Sequence, residues 1–144
     1  GYTDLVAFRG WSFDAVDPAD QMLIGPAISM PRAMARGGME LSDIDLVDIH
    51  EAFAAQVLCV LKALADDGFA EYHLGRKKAV GSIDPETINV HGGSVSIGHP
   101  FAATGGRMVT TVSNELKQTD RETAVLGICG AGGLSAGAVL ERIS

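Results

Sequence analysis

The sequence predicts an α/β domain built on a mixed sheet, and three observations predict it. Short apolar runs of strand length alternate along the chain with longer runs whose apolar residues recur at helical spacing. The last two strand-like runs, Thr123 to Cys129 and Leu134 to Glu141, are joined too tightly for a parallel crossover, so the sheet cannot be wholly parallel. With 144 residues, 47% of them hydrophobic and 20% charged, the chain has apolar material for the core of one ordinary domain.

Taken in order, Asp4 to Asp17 alternates loosely through Val6, Phe8, Trp11, Phe13 and Val16 and stops at Asp17-Pro18, as a long strand or strand pair would. Pro26 opens a helix to Arg36, with Ile28, Met30 and Met34 on one face and Gly37-Gly38 as the stop. Ile44 to Ile49 reads as a strand that delivers His50 and Glu51 at its end. From Ala52 to Leu64 the apolar residues Phe53, Val57, Val60, Leu61 and Leu64 repeat at helical spacing, until Asp66-Asp67-Gly68 ends the pattern. Cys59, in the middle of that run, is expected to pack in the core. After the basic Arg76-Lys77-Lys78 and a turn at Asp84-Pro85 comes a glycine-rich stretch, Asn89 to Gly106, and then a further helix from Arg107 to Leu116.

Bulk properties exclude several classes. A net charge of −7, with 11 scattered Lys and Arg, argues against a nucleic-acid partner. Cys59 and Cys129 form no disulfide framework, and no Cys or His spacing suits a metal, so a reduced compartment is expected, cytoplasmic or mitochondrial. Ala124 to Leu140 is free of charge over seventeen residues, but five of them are glycine, which favours two buried strands around a turn over a membrane span. The chain opens at Gly1 without an initiator Met or a leader, which suggests truncation of a longer protein.

Three segments carry chemistry: DIHEAFAAQ at 48–56, NVHGGSVSIGHPFAATGGR at 89–107 and CGAGGLSAG at 129–137. None matches a nucleotide fingerprint. Gly98-His99-Pro100 sets an imidazole between a flexible and a rigid residue just before a helix start, a way to aim a general base. Cys129 ends an apolar strand and meets Gly130-Ala131-Gly132-Gly133, where backbone N–H groups are available to an oxyanion. His50 can bring a donor to the same place. Each has an ordinary reading when taken singly: a half-buried histidine, a small buried thiol, a loop histidine with a capping acid. His73 and His91 have no partner that sequence can name.

Together, His50-Glu51-Ala52-Phe53, Gly98-His99-Pro100 and Cys129-Gly130-Ala131-Gly132-Gly133 resemble the three C-terminal signatures of the thiolase family, over about Gly25 to the end. The resemblance implies a thiolase-like C-terminal domain spanning 1–144, a mixed sheet with helices on both faces, and an N-terminal domain, bearing the nucleophilic cysteine, that this chain lacks. His50 replaces the asparagine of many members, as in the thiolase subunit of fatty-acid oxidation trifunctional complexes, which favour longer acyl chains. Ala131 replaces a glycine, but the contact expected there is a backbone N–H.

The implied reaction is CoA-dependent cleavage of a 3-ketoacyl-CoA to acetyl-CoA and a shortened acyl-CoA, or the reverse condensation. Coenzyme A is then a substrate, and neither a cofactor nor a metal is implied. By the same resemblance His99 raises the thiolate fraction of the nucleophile and, with His50, holds the enolate oxygen, while Cys129 moves the α-proton. A thiol suits that step, with an ordinary pKa of about 8.5 that a nearby imidazole lowers further. Ala131, Gly132 and Phe53 fall to oxyanion and substrate binding. Expected partners are acyl-CoA, the N-terminal domain, further copies of the full-length enzyme and a hydratase/dehydrogenase subunit. The alternatives are a non-catalytic module of the same fold and one half of a related synthase, and Cys129 argues against the synthase.

Overall fold

The chain begins with one strand, β1 (Val6–Ala15), in a computed structural model that describes residues 3–143. Asp17 then caps a single turn, α1 (Pro18–Gln21), by accepting the Ala19 N–H at 2.9 Å, and α2 (Pro26–Arg36) follows. After them come β2 (Leu46–Ile49), α3 (Ala54–Leu64), the short α4 (Asp67–Phe69), α5 (Ser94–Ile97), α6 (Ala103–Gln118), β3 (Thr123–Cys129) and β4 (Leu134–Arg142). The strands lie in the order β1-β4-β3-β2; β2 and β3 are parallel and the other two pairs antiparallel. The mixed sheet is as the sequence predicts, with the tight β3–β4 link making the antiparallel pair.

Alternation along each strand sends one set of side chains to each face. On the first face Ile49, Val125 and Val139 meet Met30 and Met34 of α2 and Val57, Val60, Leu61 and Leu64 of α3. Each of these buried side chains contributes roughly 1.5–3 kcal/mol relative to exposure. Helix α2 lies so close to the sheet that a Cβ on Gly137 would stand 2.2 Å from the Ser29 carbonyl oxygen. On the second face Leu46, Ala124, Leu126 and Leu140 are covered by Met108, Val112 and Leu116 of α6. Helices therefore cover both faces, but α6 covers only part of the second. Phe8, Trp11 and Phe13 of β1 stand on the uncovered part, 53%, 54% and 78% exposed, beside Ile128, Ala136 and Ala138 in a cavity of about 500 Å³.

Four sequence expectations need correction, the first being that α6 starts at Ala103, four residues before the Arg107 at which the sequence places it. Cys59 is exposed: the buried residues of α3 are Gln56, Val57, Val60, Leu61 and Leu64, and at 100° per residue position 59 falls outside their arc. Helix α3 starts at Ala54, because Phe53 is held in extended backbone as its N-cap. Strand β2 starts at Leu46, because Leu41–Asp43 form a 3-10 turn and the Asp45 carboxylate accepts the N–H groups of Glu122 and Thr123 at 2.9 and 3.0 Å. Those bonds hold Asp45 below its ordinary pKa.

Candidate active site

The two parallel strands end side by side, and chemistry-bearing residues leave both ends. His50 follows β2 and donates its N–H to the Gly127 carbonyl at 2.8 Å, which sets it beside the last turn of β3 leading to Cys129. Such carboxyl ends of parallel strands are where open α/β sheets place their sites.

The open edge of β2 is closed by a side chain. Asn89 accepts the Ile49 N–H at 2.7 Å and donates to the Ile49 carbonyl at 2.9 Å, while its own N–H reaches the Val47 carbonyl at 3.1 Å. One amide thus imitates a neighbouring strand. Asn89 Nδ2 also donates to the Glu51 carboxylate at 2.6 Å, and Glu51 accepts the Val95 N–H at 3.0 Å in the first turn of α5. Glu51 is therefore not the ordinary capping acid of the helix that follows it; it ties the β2 end to the glycine-rich loop. Gly93 is required there, because a Cβ would lie 2.3 Å from the Glu51 carboxyl carbon.

That tie brings His50 and His99 together, ring centroids 4.3 Å apart and planes tilted by 46°. Each ring is held at Nδ1 by a buried hydroxyl: His50 by Ser94 Oγ at 2.9 Å and His99 by Thr104 Oγ1 at 2.6 Å. His50 is 2% exposed, whereas His99 is open to solvent just ahead of α6. Burial first, and then His99 and Arg107, press the His50 pKa below its ordinary value, so His50 is neutral near pH 7.

A charged layer lies beneath the pair. Asp48 is buried and burial raises its pKa to about 6, against the opposing pull of Arg107. Asp48 Oδ1 and both terminal nitrogens of Arg107 have no hydrogen-bond partner among the described residues. His91 contacts Glu115 at 2.5 Å, and His73 packs its ring 4.3 Å from that of Phe69. Sequence reading named no partner for either.

Cys129 is buried at the end of β3. Burial pushes its thiol upward, against weaker downward pulls from its own amide and that of Ala52. The expectation of a thiol lowered by a neighbouring imidazole is therefore corrected: no imidazole is among the groups that lower it, and desolvation raises it. Ala131 and Gly132 follow in an exposed 3-10 turn, Gly132 at φ +75°, and the first N–H groups of such a turn have no partner within it. Phe53 is exposed on the α3 side of the same sheet end, and the Phe101 ring lies 5.6 Å from His99.

Ser94, Thr104, Asn89 and Arg107 take part in this arrangement without having been given a role from sequence, and Glu51 was read only as a motif member or capping acid. Asn89, Ser94 and Thr104 lie in the glycine-rich stretch, and polar residues between its glycines were the available signal. Exposed Cys59 stands apart, in a cavity of about 640 Å³ with Gln21, Met22, Gln56 and Phe69. Among the described residues no three His, Cys, Asp or Glu side chains are grouped to hold a metal, and no helix is long and apolar enough to cross a membrane.

Known proteins share this layout. A 3-ketoacyl-CoA thiolase of Shewanella woodyi is 46% identical over 141 residues, and one of Pectobacterium carotovorum is 48% identical; each alignment covers 98% of this chain and 32% of the relative. The chain thus spans about a third of the length of these relatives. Among solved structures, human mitochondrial 3-ketoacyl-CoA thiolase superposes with a TM-score of 0.82 at 29% identity, over 99% of this chain and 32% of that one. Bacillus anthracis acetyl-CoA acetyltransferase superposes with a TM-score of 0.78 at 33% identity, over 98% and 31%. The family described as "Thiolase, C-terminal domain" matches residues 2–142, well before the Gly25 at which the sequence motifs begin, so with the sheet and its two histidine-bearing loops accounted for, the chain belongs to the thiolase C-terminal domain family.

Proposed function

We propose that this chain is the acid–base half of a thiolase that cleaves 3-ketoacyl-CoA with coenzyme A, or runs the reverse condensation, and that an N-terminal domain outside this sequence supplies the nucleophilic cysteine. The observation that carries the reading is the meeting of His50 and His99 at the sheet end where β3 delivers Cys129. Two imidazoles at one oxygen suit an enolate, whose charge develops only as the carbon–carbon bond breaks. Cys129, a thiol kept protonated by burial, suits the donation of a proton to the enolate carbon. The Ala131 and Gly132 amides suit the oxyanion of the acyl intermediate, and Phe53 and Phe101 suit the wall of an acyl or pantetheine channel. His50 in place of asparagine supports longer acyl chains and a role in fatty-acid β-oxidation.

The bare face of β1 supports the N-terminal domain as a physical partner. Phe8, Trp11 and Phe13 form an apolar strip beside α6 on the same face as the histidines, so a domain seated there would reach the site. Oligomers of the full-length enzyme and a hydratase/dehydrogenase subunit are further proposed partners. Two free thiols support a reducing compartment, cytoplasmic or mitochondrial.

Cys129→Ala in the full-length enzyme tests the assignment. Acyl transfer to the nucleophile from a simple acyl-CoA should survive. Exchange of acetyl-CoA methyl protons with deuterated water should vanish, and thiolysis should fall by about a hundredfold or more. Exchange at the wild-type rate would remove Cys129 from the reaction.

A further inference from the structure

We propose that Ser94 is a positioning residue that fixes His50 as an uncharged Nε2–H donor, leaving proton transfer to His99. The inference rests on the functional reading above for its purpose, and on geometry for its content. His50 and Ser94 are both buried, and Ser94 Oγ lies 2.9 Å from His50 Nδ1. A neutral imidazole carries its proton on one nitrogen only. With the proton on Nδ1, that N–H would point at Ser94 Oγ, and the serine hydroxyl proton would need an acceptor elsewhere; none reaches it among the described residues. With the proton on Nε2, the hydroxyl donates to Nδ1 and the buried contact is paired, while Nε2–H, which is not among the fully buried atoms without a partner, is left to donate into the site. Pairing the buried hydroxyl therefore favours the Nε2–H form.

The same contact opposes a charged ring. An imidazolium would donate from Nδ1 into Ser94 Oγ and again strand the hydroxyl proton. The titratable and charged groups acting on His50 are His99, Arg107 and Glu51; the first two oppose protonation and only Glu51 favours it. His99 differs, because its ring is open to solvent. Thr104 Oγ1 keeps that ring oriented. Two rings 4.3 Å apart are thereby divided into a buried, fixed donor and a solvent-facing partner.

The test is nitrogen-15 NMR of histidine-labelled full-length protein, with His50 identified by its loss in His50→Asn. In the wild type, His50 should show a pyrrole-type Nε2 and a pyridine-type Nδ1 near pH 7. Ser94→Ala should mix the two forms and lower kcat for thiolysis about tenfold or more with KM little changed, as for a weakened oxyanion donor. Ser94→Thr, which keeps the hydroxyl, should restore both. A wild-type His50 protonated on Nδ1 near pH 7 would overturn the proposal whether or not either variant folds. Failure of the functional reading is read separately, as a wild-type protein with the expected His50 signals and no thiolytic turnover.

Discussion

The two faces of this sheet carry different loads. The α2/α3 face is closed by close-packed methionine, valine and leucine, and there the backbone of α2 touches the glycines of the sheet. The α6 face holds the buried ionisable groups Asp48 and Arg107, both histidines of the site, and an apolar strip that nothing among the described residues covers. One face stabilises the fold; the other gives up stability to hold charge and a surface for a partner. Strands with period-two alternation make such a division possible, because adjacent residues such as Asp48 and Ile49 belong to different environments.

Breaking the first face should have the largest effect. Gly137→Ala puts a Cβ 2.2 Å from the Ser29 carbonyl oxygen, where backbone and not a flexible side chain must move. The expected destabilisation is at least about 3 kcal/mol, read by urea unfolding of the full-length protein. A loss below about 1 kcal/mol would mean that α2 is free to lift from the sheet, and the contrast between the faces would lose its basis.

On the second face a substitution should stabilise. The folded pKa of Asp48 is raised to about 6 from an ordinary 3.8, so between these values the native state binds more protons than the unfolded state. Stability therefore falls as pH rises through that window, and the loss is complete above the folded pKa. Asp48→Asn should remove this decline, raising stability near pH 7.5 by up to about 3 kcal/mol and changing it little near pH 3.5. An equal effect at both pH values would point to packing and not to ionisation.

The smallest expected change in stability lies on the bare strip. Trp11→Ser should alter the unfolding free energy of the isolated chain by less than about 1 kcal/mol, because over half of the residue is already exposed. The same change should reduce self-association of the isolated chain in sedimentation and weaken its binding to a separately expressed N-terminal domain. A monomeric wild-type chain unaffected by Trp11→Ser would remove the strip as a docking surface.

Much of the fold was legible from local pattern. The run ending at Asp17-Pro18, the helix from Pro26 to Arg36 and the strands around Gly130–Gly133 are each specified by neighbours in sequence, through periodicity, proline and glycine. The three motifs likewise identified His50, His99 and Cys129 as the residues to look for. What the sequence did not disclose were properties created by residues brought from elsewhere. Asn89 closes the edge of β2 across forty positions, Glu51 clamps the loop that carries Ser94, and that loop supplies the hydroxyl that meets His50. Cys59 looked buried because helical spacing gives the direction of a side chain only once the packed arc is known, and tertiary contacts set that arc. Cys129 was expected to be lowered by a histidine and is raised by burial, since a pKa depends on how much water the fold removes as well as on which charges it brings near. Sequence determined which elements form and which groups they carry; the tertiary structure alone decided desolvation, hydrogen-bond partners and hence protonation, because those depend on distances between residues far apart along the chain.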